Sequence, residues 1–127
     1  MLMEDYKANS YKNVMELLVD SEIDRQTHDY PQEDAQGINR IEVAAYALNH
    51  LPPLYASSQE GVEIQLKRGE SEFGELMTVA VAQALEVITQ KPDRFVTPLR
   101  PIAEIEAELI LAQQDFEELV ADLADPL

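Results

Sequence analysis

From Val62 to Ile88 the apolar residues recur by threes and fours. Val62, Leu66, Gly69, Phe73, Leu76, Met77, Ala80, Val81, Ala84, Leu85 and Ile88 all fall on one side of a helix. The start of this seam also alternates with period two at Val62, Ile64 and Leu66. Helix is preferred over strand because the seam runs through Phe73 unbroken and no partner strand is visible. Ser57 with Glu60 reads as a capping box at its start, and Pro92 ends it near Gln90. Gly69 and Gly74 each weaken it by about 1 kcal/mol relative to Ala. A helix over these residues is roughly 50 Å long at 1.5 Å per residue. A domain of this length has a radius of gyration of about 14 Å. The helix therefore overhangs its own core, and a second copy of the chain, a homodimer, is the expected cover.

Three further helices are expected. Tyr11, Val14, Met15, Leu18 and Val19 share one helical face, predicting a helix over about residues 10–25. Residues 26–37 are polar, contain Pro31 and read as loop. Asn39 with Glu42 three residues on is a capping box. It opens a helix striped by Ile41, Ala44, Ala45 and Leu48 and stopped by Pro52-Pro53. Pro92 to Pro101 is a connector. Beyond it Ile102, Ile105, Leu109, Ala112, Phe116, Leu119 and Leu123 space a last helix, in a segment with eight acids and no base. The expected fold is all-α, four helices with one long one and no sheet. Residues 1–100 form the main domain, and 101–127 an acidic helical extension.

Charge and composition remove most functions. The 127 residues carry 25 acids against 9 bases, a net charge of −16. That excludes direct DNA binding and an anionic membrane surface as partners. The absence of cysteine removes disulfides, thiolate catalysis and Cys-ligated metals. No apolar run is long enough to span a bilayer, and Met1 to Asp5 lacks the pattern of a signal peptide. A cytoplasmic location is expected. His28 and His50 lack the Glu-x-x-His spacing of a di-metal site. His28-Asp29 lacks the further ligands of a metal phosphohydrolase, and Asp29, Glu33 and Asp34 do not follow the EF-hand order. With no P-loop or dinucleotide fingerprint either, no enzyme, metal or cofactor is expected.

The string from Ile41 to Ser58, Ile-Glu-Val-Ala-Ala-Tyr-Ala-Leu-Asn-His-Leu-Pro-Pro-Leu-Tyr-Ala-Ser-Ser, resembles the central signature of the ComFB family of late competence development proteins. Asn13-Val14-Met15-Glu16 followed by Val19, Glu22 and Ile23 resembles that family's opening helix. Gly61, Gln65 and the stretch from Ala80 to Val87 fit downstream. The resemblance spans about residues 11–100 and leaves out the acidic last helix. Some family members carry a cysteine cluster between the first two helices. This chain has none and looks like the cysteine-free, cyanobacterial-type branch. The resemblance implies a helical, dimeric, cytoplasmic receptor for cyclic dinucleotides, cyclic-di-GMP above all. It signals through a partner such as a transcription regulator or another basic protein, in control of cell size, competence or pilus-dependent motility.

Such a ligand needs donors for two phosphates, flat groups against two bases, and Arg or carboxylate at guanine edges. Arg40 sits in the first turn of the second helix, where the dipole favours an anion. Tyr55 follows the stiff double proline and can stack a base. Ser57 offers a hydroxyl at the start of the third helix, and Arg68 lies off its seam. Lys12 precedes the opening string, and Glu16 can accept from guanine. Each also has an ordinary alternative: solvated charge, core ring or plain cap. Arg40 and Ser57 are separated by a whole helix, on the order of 18 Å, so they can serve one ligand only from two chains. Asn49 keeps cyclic-di-AMP open as the alternative ligand. The rival function is a ligand-free acidic adaptor that binds a basic partner.

Overall fold

The computed structural model describes residues 6–90 and 97–124. Met1 to Asp5, Pro92 and the first half of the connector lie outside the described residues. Two compact units divide the chain, Met1–Asp93 and Arg94–Leu127.

The first unit is helical, as expected, but contains a small antiparallel ribbon. Its order is β1 (Lys12–Asn13), α1 (Met15–Thr27), α2 (Gln32–Gln36), α3 (Arg40–Leu48), β2 (Tyr55–Ala56) and α4 (Gln59–Thr89). Three expectations are corrected. The first helix begins at Met15 rather than near residue 10, and Tyr11 is 78% exposed instead of lining its apolar face. The stretch read as loop contains α2, a five-residue helix led by Pro31 with Glu33 and Asp34 in its first turn. Both features suit a helix start. Finally, the expectation of no sheet fails at β1 and β2.

The caps largely follow the sequence. Asn39 accepts the N–H of Glu42 at 3.2 Å and opens α3. The start of α4 differs by one residue: its cap is Ser58, whose Oγ accepts the N–H of Gly61 at 2.9 Å. The single core is built from Val14, Met15, Leu18, Val19 and Ile23 on one side, and Met77, Ala80, Val81, Ala84 and Leu85 of α4 on the other. Val43 and Ala47 of α3 and Leu54 close it. The stripe read on α3 is therefore rotated. Ile41 is 82% exposed and Ala45 is exposed, because α3 is apolar nearly all round and only its neighbours decide which side is covered. On α4 the seam is covered within the same chain at Gly69, Met77, Ala80, Val81, Ala84 and Leu85, while Leu76 stays 46% exposed. At 31 residues the helix is about 46 Å long, but α1 and α3 pack along it.

Polar contacts fasten α1 to α4 at the edge of this core. Glu22 accepts from Arg25 Nε at 2.9 Å and from Gln26 Nε2 at 2.7 Å, and Gln26 also donates to the carbonyl of Thr78 at 2.9 Å. The Arg25 guanidinium holds the Glu22 carboxyl below the usual carboxylate range, against the opposing effect of burial. A depressed folded-state pKa contributes stability above the unfolded value and loses it as the pH falls through the folded one. Glu22→Ala is expected to cost about 1 kcal/mol at neutral pH. That difference should shrink as the pH drops below 4.5, read by urea unfolding across the acid range.

The second unit contains α5 (Ile102–Ala124). Arg100, just before it, reaches Glu108 with two parallel bonds of 2.7 Å. No helix among the described residues is long and apolar enough to cross a membrane.

Candidate functional site

Two strings 41 residues apart meet at the β ribbon. Pro52 and Pro53 leave α3 without N–H donors and bias the chain to extended backbone. The chain then runs through Leu54 into β2. Lys12 lies opposite Ala56, and Asn13 opposite Tyr55. Strands of two residues do not hold themselves together, and the fastening comes from one amide. Asn13 Oδ1 accepts the N–H of Leu54 at 2.8 Å and the N–H of Met15 at 3.2 Å, the latter at the start of α1. Beside it the N–H of Val14 donates to the Leu54 carbonyl at 2.7 Å. Gln65 of α4 donates to the Tyr55 carbonyl at 3.0 Å, fixing β2 from below.

Alternation along β2 then sorts its side chains. Leu54 is buried and Ala56 packs against the core, while Tyr55 and Ser57 stand exposed. Tyr55 meets Tyr11 edge to face, with ring centroids 5.8 Å apart and planes at 60°. These rings are 56% and 78% exposed, unlike tyrosines whose area is used in a core. Tyr11 and Ser57, with Ala8 to Ser10, line a shallow recess of about 450 Å³. Ser58 and the first turn of α4 follow directly, with unpaired backbone N–H groups at a positive helix end.

The other expected residues are distributed unevenly. Lys12 is paired opposite Ala56, on the face away from Tyr55, and its Nζ lies 3.6 Å from Glu16 Oε1. Lys12 and Glu16 thus lie to one side of the ribbon, and Tyr55 and Ser57 to the other. Arg40 does not join them. Its Nη1 is 2.8 Å from Asp24 Oδ1 and its Nη2 3.3 Å from the Asp20 carbonyl. Asp24 lies two turns beyond Glu16, about 12 Å along α1. Arg68 is engaged on its own helix, with Nε 3.1 Å from Glu72 and its guanidinium 5.6 Å from the Phe73 ring centre. Sequence reasoning missed Tyr11 and Asn13. The available signal was Asn13 just before an apolar-periodic run, a helix-start cue that moves the start of α1 past Tyr11.

A second cleft, of about 490 Å³, is lined by Asp29, Glu33 and Asp34 with Tyr30, Ile38 and Ile88. Three carboxylates there repel a phosphodiester. Among the described residues no group of three or more potential ligands is placed to hold a metal ion. His50 stacks on Tyr46 with centroids 4.7 Å apart, and its Nδ1 lies 2.8 Å from the Tyr46 carbonyl, at the end of α3.

The ribbon, its amide fastening and the double proline lie inside one match. A family model described as late competence development protein ComFB covers residues 12–92, from the first residue of β1 to just past α4. The chain belongs to the ComFB family. A search of curated proteins finds no significant match. The strings that mark this ComFB chain in sequence are those the ribbon joins in space. Helix α5 lies outside the matched residues.

Proposed function

We propose that this ComFB protein is a cytoplasmic receptor for a cyclic dinucleotide, cyclic-di-GMP above all, and acts by binding rather than catalysis. The observation that carries the reading is the exposed Tyr11–Tyr55 pair on the ribbon, with Ser57 and the start of α4 beside it. A base stacks on a tyrosine face, a contact worth about 1–3 kcal/mol per base. A phosphate takes the Ser57 hydroxyl and the first amides of α4. Glu16 lies with Lys12 on the face away from Tyr55, so the preference for cyclic-di-GMP over cyclic-di-AMP rests on the family resemblance. One chain supplies one such set, and the ligand is two-fold symmetric. Two chains therefore share one ligand as a homodimer. The bound state is passed to a partner protein in competence, cell-size or pilus-dependent control, by the cysteine-free, cyanobacterial-type form of the family.

Isothermal titration with cyclic-di-GMP tests this, with cyclic-di-AMP and GMP as controls. Saturable micromolar binding is expected, absent with GMP, at one ligand per two chains. Tyr55→Ala should weaken it at least tenfold, whereas Arg40→Ala, in α3 and tied to Asp24 near the far end of α1, should leave affinity within about threefold. Loss of binding in Arg40→Ala with Tyr55→Ala unaffected would move the site off the ribbon. No heat and no shift in melting temperature with any of the nucleotides would end the receptor reading.

A further inference from the structure

We propose that α5 is a docking helix for a partner protein's amphipathic helix, one whose apolar stripe is edged by Lys and Arg. This surface is independent of the nucleotide reading, because it lies on the second unit and outside the family match.

The seam on α5 is regular. Ile105, Leu109, Ala112, Phe116, Leu119 and Leu123 follow one another by alternating fours and threes, the repeat of a helix built to lie along another helix. Within its own unit most of the row is uncovered: Leu109 and Phe116 are each 64% exposed and Leu119 57%, while Ile105 is half-buried. Apolar side chains on that scale in one row mark an interaction surface. In paired helices the residues that flank the seam choose the partner. Here the flanks carry Glu106, Glu108, Asp115 and Asp122, and the helix has no basic residue at all. A second copy of α5 would bring seven acids against seven, and the helix itself carries no base to neutralise them. A Lys- or Arg-edged helix pairs with those same acids while covering the same apolar row.

Arg100 shows the pairing on a small scale. Its guanidinium lies along Glu108 in a bidentate pair, with both bonds at 2.7 Å. The contact lowers the Glu108 pKa and raises that of Arg100. A guanidinium delivered from outside α5 is thus already accommodated at a flanking acid.

The test uses the full chain and three synthetic helical peptides, followed by fluorescence anisotropy. One has a Leu seam edged by Lys, the second the same seam edged by Glu, and the third Lys edges with Ser in place of the seam. Micromolar binding is expected for the first. It should be at least tenfold weaker for the other two, and binding of the first should weaken in 500 mM salt, where charges are screened within a few ångströms. Phe116→Ala with Leu119→Ala should also lose at least tenfold. Alanine keeps the helix, so circular dichroism should be unchanged. Equal binding of the Ser-seam peptide would reduce the surface to bulk charge and overturn the proposal. So would binding of the Glu-edged peptide, or no binding of the first. Sedimentation velocity supplies one more contrary outcome: self-association of the chain alone, abolished by the double substitution, would make a second copy the occupant.

Discussion

Asn13→Ala is expected to lower the stability of the protein by about 2–3 kcal/mol, although it removes only one half-buried amide from a two-residue strand. The size follows from what Asn13 holds. Its Oδ1 is the acceptor for two backbone N–H groups, those of Met15 and Leu54, and both are left without it in the alanine variant. Each partly buried donor without a partner costs about 1–3 kcal/mol. Leu54 is 1% exposed and sits in the core, so its N–H cannot turn to water without dragging a core side chain with it. Asn13→Asp keeps the acceptor and places a negative charge at the start of α1, where the dipole favours it. It should therefore recover most of the loss. Urea unfolding of the three proteins checks the ordering. A cost below about 0.5 kcal/mol for the alanine variant would mean that Val14 and the Leu54 carbonyl hold the ribbon alone. Because Tyr55 lies opposite Asn13, the same substitution should also weaken the cyclic-di-GMP binding proposed above, while Asn13→Asp should not.

Gly69→Val is expected to be the most damaging single change in α4, at about 3 kcal/mol or more, and the protein has a margin on the order of 5–15 kcal/mol. A Cβ at Gly69 would stand 2.2 Å from Leu18 Cδ1 and 3.0 Å from Leu54 Cδ1. Both leucines are buried, so a branched side chain has to push them off their rotamers or part α1 from α4. Gly74 lies on the same helix with nothing within 4 Å of its would-be Cβ. Gly74→Ala should consequently stabilise by up to about 1 kcal/mol through helix propensity alone. Thermal melts of the two variants should move in opposite directions. A neutral Gly69→Val would mean that the close approach of α1 and α4 there is slack.

Gly69 also shows how the two levels of description divide. On the seam it occupies a position where an apolar side chain is expected, and helix propensity marks it only as a weakness. The approach of Leu18 and Leu54 makes it a fitted surface, and that approach depends on residues 51 and 15 positions away. The same division runs through the site. Tyr55 and Ser57 could be read as exposed candidates from the double proline before them. Tyr11 could not, because its partner lies across a ribbon too short to leave a period-two signal. Arg40 had the strongest local argument, a cation at a helix start. In the structure it is an inter-helix tie to Asp24.

The long helix, the capped start of α3 and the acidic last helix were legible from spacing, caps and composition, and the family strings from their resemblance. All of these are set by interactions within a few residues along the chain, where the sequence is its own neighbour. The buried face of α3, the ribbon and the amide that fastens it, and the placing of Tyr55 and Ser57 beside Tyr11 and apart from Arg40 were decided only by tertiary packing. An all-round apolar helix has no preferred face until another helix covers one. A two-residue strand has no stability until a side chain from elsewhere in the chain satisfies its backbone.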